Sequence, residues 1–359
     1  MRDWIGSVKP NSIEIIPLIE DMDSLLKIDS IVELYIDAIK PKYVRVFIAR
    51  SDPALNYGLV SATILSKIAL SKLKILGEKK DLSIYPIIGV GSLPFRGHLS
   101  PQNIDFFLDE YKGIYTATVQ SGLKYDFQSE DVKKVVTDLN ENLPFGQSKS
   151  IDSWEEKILL RVINKFNSKY KLVVEDLAPL ISSIVPYIPK RRARKLHIGL
   201  FGYSRNVVDG VALPRAITFA AALYSLGIPA EFIGLEALGD LTEEETKALF
   251  RNYVNLKSDL TVAAKYMSWQ NLNMLMGMFK EFSKRAEISE SRLSSGLSRL
   301  LLDINIAQDN LGIKFGPRTL NQRKYENAVN NFIICYLERQ DEEAKHYIKE
   351  AAQLRRSLG

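Results

Sequence analysis

Short β-rich runs alternate with longer helical patterns over the first 120 residues, and this alternation limits the possible folds more than any other feature. The β-rich runs are Ser12–Ile19, Tyr43–Ala49, Leu82–Ile88 and Ile114–Val119. Helical patterns of apolar residues lie between them, including the long pattern Leu59–Leu76. Strands joined through helices of this length pair in parallel by right-handed crossovers. The sequence therefore predicts a parallel sheet covered by helices.

The number of strands bears on which parallel fold forms. No glycine-rich dinucleotide-binding fingerprint accompanies the four β/α units, which favours a TIM-type barrel over a Rossmann sheet. After Ile151 only Leu196–Phe201 offers another strand, so eight strands cannot be completed. Either the sheet is open or its first strands lie in sequence that this chain does not contain. We predict an α/β fold, an incomplete TIM-type parallel β/α barrel with an extensive C-terminal helical region.

The second part of the chain is mostly helical in pattern. Its predicted helices are Trp154–Asn167, Leu172–Val185, Pro214–Leu226, Glu243–Leu256, Leu260–Arg285, Ser289–Asn310 and Gln322–Arg356. We expect residues 1–150 to form the partial barrel with its site loops. Residues 151–359 would add the remaining barrel element and the helical region, without a clear boundary of a second domain.

Composition narrows the class of protein. Lysine and arginine number 48 against 43 acidic residues, a formal charge of +5, which favours an anionic ligand but is too weak to require nucleic acid. The single cysteine, Cys335, cannot form an internal disulfide or a cysteine-based zinc site. No run of 18 apolar residues and no secretory signal is present. We expect a cytoplasmic protein without membrane or nucleic-acid partners.

Acidic residues follow the first two predicted strands. Glu20 comes after the first strand and Asp52 after the second. Because parallel β/α barrels collect their chemistry at the carboxyl ends of strands, these two side chains are candidate ligands for Mg²⁺ or Mn²⁺, which prefer oxygen. The alternative is helix capping, for which Asp21, Asp23 and Ser24 are suited. Position alone leaves both interpretations open.

Candidate anion-binding residues follow the third and fourth strands. The loop Gly89–Pro101 carries three glycines, two prolines, Arg96 and His98. Glycine lets backbone N–H groups approach a phosphate, and an arginine can hold it with two hydrogen bonds. We interpret His98 as a surface loop residue. Gln120 ends the fourth strand, and Lys124 lies one turn further on.

The densest positive charge in the chain is the run Lys190–Lys195, and an isolated arginine lies further along at Arg215. The arginines of the run are Arg191, Arg192 and Arg194. A solvated patch and a nucleic-acid patch are both possible interpretations. Proline before the run and glycines after it favour a mobile loop that delivers arginines to a small, multiply charged anion. Arg215 lies in LPRAI, at the start of an apolar helix, where an arginine needs an anionic partner.

These segments together resemble the phosphoenolpyruvate carboxylases of the short archaeal type, in order over essentially the whole chain. IEIIPLIEDMDSL resembles the segment whose glutamate binds the metal, which falls on Glu20. RVFIARSDPALNYG resembles the segment of the second metal carboxylate, which falls on Asp52. The resemblance implies a metal site formed by these two residues with Mg²⁺ or Mn²⁺.

The other segments resemble the substrate-binding parts of the same family. YPIIGVGSLPFRGHLSP stands in the place of the loop over phosphate and carboxylate, with Arg96, and TATVQSGLKYD matches a site glutamine on Gln120. PKRRARKLHIGLFGYSR and LPRAITF are similar to the mobile basic loop and to the phosphate-binding arginine, on Arg215. The final LRRSLG is similar to a tail that folds back towards the active site.

The resemblance implies an activity. Phosphoenolpyruvate and bicarbonate would give oxaloacetate and phosphate, feeding the tricarboxylic acid cycle, in an allosteric homotetramer. The implied catalytic residues are Arg96, Gln120, Arg191, Arg192, Arg194 and Arg215. The implied substrate-binding residues are Arg96, Lys124 and Arg215.

The sequence also departs from the family pattern. The family has a catalytic histidine in a His-Pro segment, whereas none of His98, His197 and His346 precedes a proline. The glycine-rich loop has one arginine where the bacterial and plant enzymes have two, and Leu55 lies near the position of a lysine in those enzymes. We expect the His-Pro segment and the early strands to belong upstream of this sequence. Two alternatives remain: an inactive or complementing fragment of this enzyme, and another barrel lyase that handles enolates or pyruvate.

Overall fold

Four parallel strands form the sheet of the computed structural model, which describes residues 14–189 and 213–359. Their order in the sheet is their order in the chain: β1 (Leu18–Ile19), β2 (Val44–Ala49), β3 (Ile84–Gly89) and β4 (Thr116–Ala117). β2 and β3 pair over their full length, from Val44 beside Ile84 to Ala49 beside Gly89. The prediction of consecutive parallel strands is confirmed.

The described sheet is open. β1 pairs with β2 and β4 with β3, and neither outer strand has a second neighbour among the described residues. A closed TIM-type barrel is therefore not confirmed. The fifth predicted strand, Leu196–Phe201, lies outside the described residues.

Helices cover the sheet and connect its strands. The connections contain α1 (Met22–Leu26), α2 (Ile28–Ile39), α3 (Ser51–Tyr57), α4 (Leu59–Lys80) and α5 (Ile104–Glu110). α4 is buried over most of its length. The hydroxyl groups of Thr63 and Ser66 donate back to carbonyl oxygens of the helix at 3.0 and 2.9 Å, and that of Ser61 donates to the carbonyl oxygen of Ile163 at 3.3 Å. These bonds give hydrogen-bond partners to polar atoms that would otherwise be buried without one.

The remaining helices form the larger part of the molecule. They are α6 (Ser121–Asp126), α7 (Ser129–Asn142), α8 (Ser153–Ile184), α9 (Ala216–Ser225), α10 (Glu243–Asn252), α11 (Leu256–Ala264), α12 (Trp269–Gly277), α13 (Phe279–Ala286), α14 (Glu290–Leu311), α15 (Leu320–Leu337) and α16 (Asp341–Arg355). Short 3₁₀ turns occur at Pro94–Arg96, Leu143–Phe145, Val185–Tyr187, Ala230–Phe232 and Leu235–Asp240.

Three predicted helix boundaries were wrong. The pair predicted between Trp154 and Val185 is one helix, α8, because Tyr170 in the polar gap is buried and donates to the carbonyl oxygen of Leu55 at 2.7 Å. The predicted helix Leu260–Arg285 is three helices, since Ser268 starts α12 as its N-cap. The last predicted helix breaks at Arg339, which has a φ of 61°.

One hydrophobic cluster runs through the described residues, from Ile19 in β1 to Leu358 after α16. α8 lies at its centre and packs against α4, α10 and α14. Within the described ranges, no single helix is long and apolar enough to cross a membrane, although one sharply bent pair, Ala216–Ser225 with Ala230–Asp240, passes that test by length and composition.

Candidate active site

A cavity of about 470 Å³ lies at the carboxyl ends of the strands. Residues from the ends of all four strands and from the start of α9 line it. Five of the predicted site residues are among them: Glu20, Asp52, Arg96, Gln120 and Arg215. The fold therefore brings together residues that are spread over almost 200 positions of the sequence, which is the expected location of chemistry in a parallel β/α fold.

The two candidate metal ligands come from neighbouring strands. Glu20 directly follows β1, and Asp52 lies in the first turn of α3, just after β2. Capping also occurs here, but Asp21 performs it, by accepting from the backbone N–H of Ser24 at 2.9 Å. Capping is therefore confirmed for Asp21, while metal binding by Glu20 and Asp52 stays a prediction.

The donor set fits a hard divalent cation. The cavity offers two carboxylates, and Mg²⁺ is commonly held by one or two carboxylates while water or substrate oxygens complete its coordination. No cluster of three or more His, Cys, Asp or Glu side chains with metal-binding geometry occurs in the part of the chain that the structure describes. Metal binding by the two carboxylates therefore stays a prediction.

Arg96 is held in the cavity wall by three hydrogen bonds. Its Nη2 donates to Oε1 of Gln120 at 2.5 Å, and its Nε donates to Oγ of Ser51 at 3.3 Å. Its Nη1 donates to the carbonyl oxygen of Gly359 at 2.6 Å. One guanidinium, 6% exposed, thus joins the ends of β2 and β4 to the last residue of the sequence.

The loop Gly89–Pro101 is folded into the protein. His98 is only 6% exposed, so its interpretation as a surface residue was wrong. Its Nδ1 lies 2.5 Å from Oδ1 of Asp259 in α11, and Oδ2 of that aspartate accepts from the hydroxyl of Tyr253 at 2.7 Å. The sequence could not show this because Asp259 is 161 residues away.

Glycine makes this tight loop possible at one position in particular. Gly97 has a φ of 102°, in the left-handed region. A Cβ at this position would lie 2.5 Å from Cγ1 of Val90, which is closer than real contacts allow. The hydrogen bond from the backbone N–H of Gly91 to the carbonyl oxygen of Arg96, at 2.7 Å, closes the turn.

A second cavity of about 420 Å³ adjoins the first. Both cavities share Arg96, Gln120 and Arg215 as lining residues. The segment 357–359 forms part of the second wall, and Oγ of Ser357 lies 3.1 Å from Oγ of Ser92. The tail of the sequence therefore folds back to the candidate site, as the resemblance implied.

Not every predicted site residue reaches the cavities. Lys124 is exposed in α6, with its ammonium 5.4 Å from the ring centre of Tyr125, and it lines neither cavity. Arg191, Arg192 and Arg194 lie outside the described residues. Arg215, in contrast, lines both cavities as the exposed N-cap residue of α9.

Sequence reasoning missed several residues that shape the site. Ser51 and Gly359 contact Arg96 directly, and Arg50 and Glu231 hold the backbone beside it. Arg50 is 1% exposed. In the sequence it lies between a predicted strand and the candidate ligand Asp52, and this position could have indicated a residue of the site. Nothing in the local sequence indicated Glu231 as a residue of the site, because it lies 136 residues from Phe95.

Comparisons with known proteins identify the family to which the chain is similar. A family model described as phosphoenolpyruvate carboxylase matches residues 1–359. The chain is 44% identical to a phosphoenolpyruvate carboxylase of Caldivirga maquilingensis and 42% identical to one of Metallosphaera sedula, each over 359 residues. Each match covers all of this chain and 68% of the relative. A phosphoenolpyruvate carboxylase of Picrophilus torridus is 38% identical, with 67% of its length covered.

Proposed function

The chain belongs to the phosphoenolpyruvate carboxylase family, and we propose that it carries the residues that bind the substrate and the metal ion in this carboxy-lyase reaction. Phosphoenolpyruvate and bicarbonate would be its substrates, and oxaloacetate and phosphate its products. The observation that carries the proposal is the single cavity in which Glu20, Asp52, Arg96, Gln120 and Arg215 meet.

The chemistry of the substrates explains this set of residues. Phosphoenolpyruvate carries a phosphoryl group and a carboxylate, and guanidinium groups bind both through charge-assisted hydrogen bonds. Arg96 and Arg215, which both line the cavity, would hold these two ends. Gln120 would orient the guanidinium of Arg96. A divalent cation, Mg²⁺ or Mn²⁺, held by Glu20 and Asp52, would supply positive charge where the enolate oxygen develops.

The proposed reaction balances without a further reactant. An oxygen of bicarbonate attacks phosphorus, the bond to the enol oxygen breaks, and carboxyphosphate and the enolate of pyruvate form. Carboxyphosphate divides into CO₂ and phosphate, which retains the bicarbonate proton. The enolate carbon then bonds to CO₂, giving oxaloacetate. Arg96 and Arg215 would keep the transferred phosphoryl group and the enolate carboxylate in place between the two steps.

Further roles follow from the family resemblance and belong to the same proposal. Arg191, Arg192 and Arg194 would bring additional positive charge to the phosphoryl group. The enzyme would be an allosteric homotetramer that supplies the tricarboxylic acid cycle with oxaloacetate.

The test is phosphate release and oxaloacetate formation by the purified chain with phosphoenolpyruvate, Mg²⁺ or Mn²⁺ and bicarbonate. We expect both products only when all three are present. Product formation that does not need bicarbonate would favour the lyase alternative. The absence of both products under every condition would contradict catalysis by this chain alone.

A second candidate is a subunit that works only together with the remainder of the enzyme. The coverage of the relatives favours it, because this chain matches 68% of the length of the Caldivirga maquilingensis protein. The assay should therefore be repeated after addition of the unmatched part of the Caldivirga maquilingensis relative as a separate polypeptide. Activity that appears only in this mixture would establish a complementing subunit.

A further inference from the structure

The backbone of Phe95, the residue before Arg96, is held from two sides by buried charged groups. Oε1 of Glu231 accepts from its N–H at 2.9 Å. Nη1 of Arg50 donates to its carbonyl oxygen at 3.2 Å. The two bonds fix the peptide units on both sides of the Phe95 Cα. They therefore determine where the Cα of Arg96 lies and in which direction its side chain leaves.

Both charged groups are themselves rigidly held. Nη2 of Arg50 donates to Oγ1 of Thr63 at 2.7 Å and its Nε to the hydroxyl of Tyr111 at 3.0 Å. Oε2 of Glu231 accepts from the hydroxyl of Tyr224 at 3.0 Å. Arg50 is 1% exposed and Glu231 is 0% exposed. Side chains with several hydrogen bonds and no access to water leave the Phe95 backbone little freedom.

Complete burial of the Glu231 carboxyl group lowers the stability of the folded protein unless its contacts compensate, so its burial needs an explanation. Transfer of a carboxyl group from water into the interior is unfavourable unless hydrogen bonds compensate it. Burial raises the pKa of Glu231, and the hydrogen bond from the Phe95 N–H opposes that rise. The side chain lies outside the cavity, so it does not bind substrate itself. What it contacts is the backbone that carries Arg96.

We propose that Glu231 is a positioning residue for Arg96, acting through the N–H of Phe95, with Arg50 holding the same residue from the other side. The inference rests on the proposed function, since it assumes that Arg96 binds phosphoenolpyruvate.

A second path connects Glu231 to the guanidinium of Arg96. Tyr224, which donates to Glu231, lies under the guanidinium of Arg355 at 4.5 Å. Arg355 donates to the carbonyl oxygen of Leu358 at 2.9 Å, and the next residue, Gly359, accepts from Nη1 of Arg96. Glu231 thus supports the backbone of Arg96 directly and its side chain through the tail.

The experiment compares Glu231→Met with Glu231→Gln. Methionine keeps the length of the side chain but removes the acceptor, whereas glutamine keeps an acceptor for the Phe95 N–H. We expect the dissociation constant of phosphoenolpyruvate, measured by calorimetry with Mn²⁺, to rise on the order of tenfold in E231M. In E231Q it should stay within about threefold, which is the rescue that a positioning hydrogen bond requires.

Two controls separate positioning from a loss of stability. Glu110 is 2% exposed and also accepts from a backbone N–H, that of Asn255 at 2.9 Å; it pairs with Lys67 and lines neither site cavity. E110M should lower stability without changing phosphoenolpyruvate binding. In an Arg96→Met background, E231M should cause no further loss of affinity, because the group that it positions is gone. Unchanged affinity in folded E231M, or full additivity with R96M, overturns the proposal.

Amide hydrogen exchange tests the positioning even if the chain does not bind phosphoenolpyruvate, a result that would contradict the proposed function separately. The N–H groups of Phe95, Arg96 and Gly97 should exchange faster in E231M than in E231Q or E110M. Equal exchange rates overturn the inference. If E231M does not fold, Tyr224→Phe replaces it, because that change frees one carboxylate oxygen of Glu231. Tyr224→Phe should give the same changes to a smaller degree, and their absence overturns the proposal as well.

Discussion

Arg96 donates from Nη2 to Oε1 of Gln120 at 2.5 Å, across the boundary between the two cavities of the candidate site. The two residues come from different loops, after β3 and after β4. Their bond sets the plane of the guanidinium that faces the cavity. An anionic substrate that binds Arg96 competes with the Gln120 amide for hydrogen bonds from the guanidinium. This amide is neutral and therefore competes less strongly than a carboxylate would.

The Gln120–Arg96 bond yields the first prediction. Gln120→Glu preserves the size of the side chain but gives Arg96 a permanent anionic partner. We expect the apparent affinity for phosphoenolpyruvate to fall on the order of tenfold, because the new ion pair must be weakened before the substrate binds. Steady-state kinetics or calorimetry measures this change.

Gln128→Glu is the matched control for that variant. Gln128 is exposed at the N-cap of α7, so its replacement adds the same charge outside both cavities. It should leave substrate affinity unchanged. Equal effects of Q120E and Q128E would mean that overall charge, rather than the contact with Arg96, controls binding.

The second prediction concerns the metal. Glu20→Gln and Asp52→Asn each remove one negative charge from the cavity with little change of shape. We expect each to weaken Mn²⁺ binding by at least tenfold, because a hard cation depends on charged oxygen ligands. Paramagnetic resonance of free Mn²⁺ measures binding directly. Asp23→Asn, at an exposed position in α1, is the control and should bind Mn²⁺ normally. Normal binding by E20Q and D52N would remove these residues from the metal site.

The third prediction tests the tail. A Cβ on Gly359 would lie 2.0 Å from the carbonyl oxygen of Ile217, so alanine cannot fit without displacing the tail from α9. Gly359→Ala should therefore break the contact between Gly359 and Arg96 and weaken phosphoenolpyruvate binding several-fold. Gly316→Ala is a poor control, because Gly316 has a φ of 98°, but Gly277→Ala is suitable, since nothing lies within 4 Å of the added Cβ. If G359A binds substrate as well as G277A does, the tail is not part of the site.

The fourth prediction is a pH dependence of stability. Burial raises the pKa of Asp303 to about 7 from 3.8, although the N–H groups of Glu236 and Gly234 oppose the shift by donating to it. Between these two pH values the folded protein retains a proton that the unfolded chain releases. The contribution of Asp303 to the free energy of unfolding is thus fully present below about pH 4 and is lost as the pH rises towards 7.

Asp303→Asn isolates this effect. The difference in unfolding free energy between the unaltered protein and D303N should fall with increasing pH across that window, by up to roughly 1.4 kcal/mol per pH unit. Asp309→Asn, an exposed position in the same helix, should show no such difference. Urea titrations at several pH values give these numbers. A difference that is constant with pH would contradict the raised pKa.

The sequence was sufficient for the local parts of the fold. Tyr43–Ala49 predicted β2 to within one residue, because alternate side chains of VRVFIA are buried and the strand is short and β-branched. The positions of Glu20, Asp52 and Gln120 at strand ends also followed from local pattern. Parallel pairing then brings all carboxyl ends to one edge, which is why a common site for these residues could be predicted.

The sequence did not predict contacts between residues that are far apart in the chain. His98 and Asp259 are 161 residues apart, and Phe95 and Glu231 are 136 apart, so nothing local predicted that this loop is buried. The predicted helix ends were wrong for a related reason. The N-cap of α12, Ser268, donates from its backbone N–H to the carbonyl oxygen of Gly227 at 2.9 Å, and this tertiary bond overrides a continuous apolar pattern.

The most direct test of the central claim follows the carbon of bicarbonate. The purified chain is supplied with phosphoenolpyruvate, Mg²⁺ and ¹³C-bicarbonate, alone and with the unmatched part of a relative added. Carbon NMR then examines the oxaloacetate, trapped by reduction to malate. Our account predicts label in the newly formed carboxyl group, in amounts equal to the phosphate released, and its loss in Arg96→Met. Phosphate release without labelled product, or no turnover in either mixture, would contradict it.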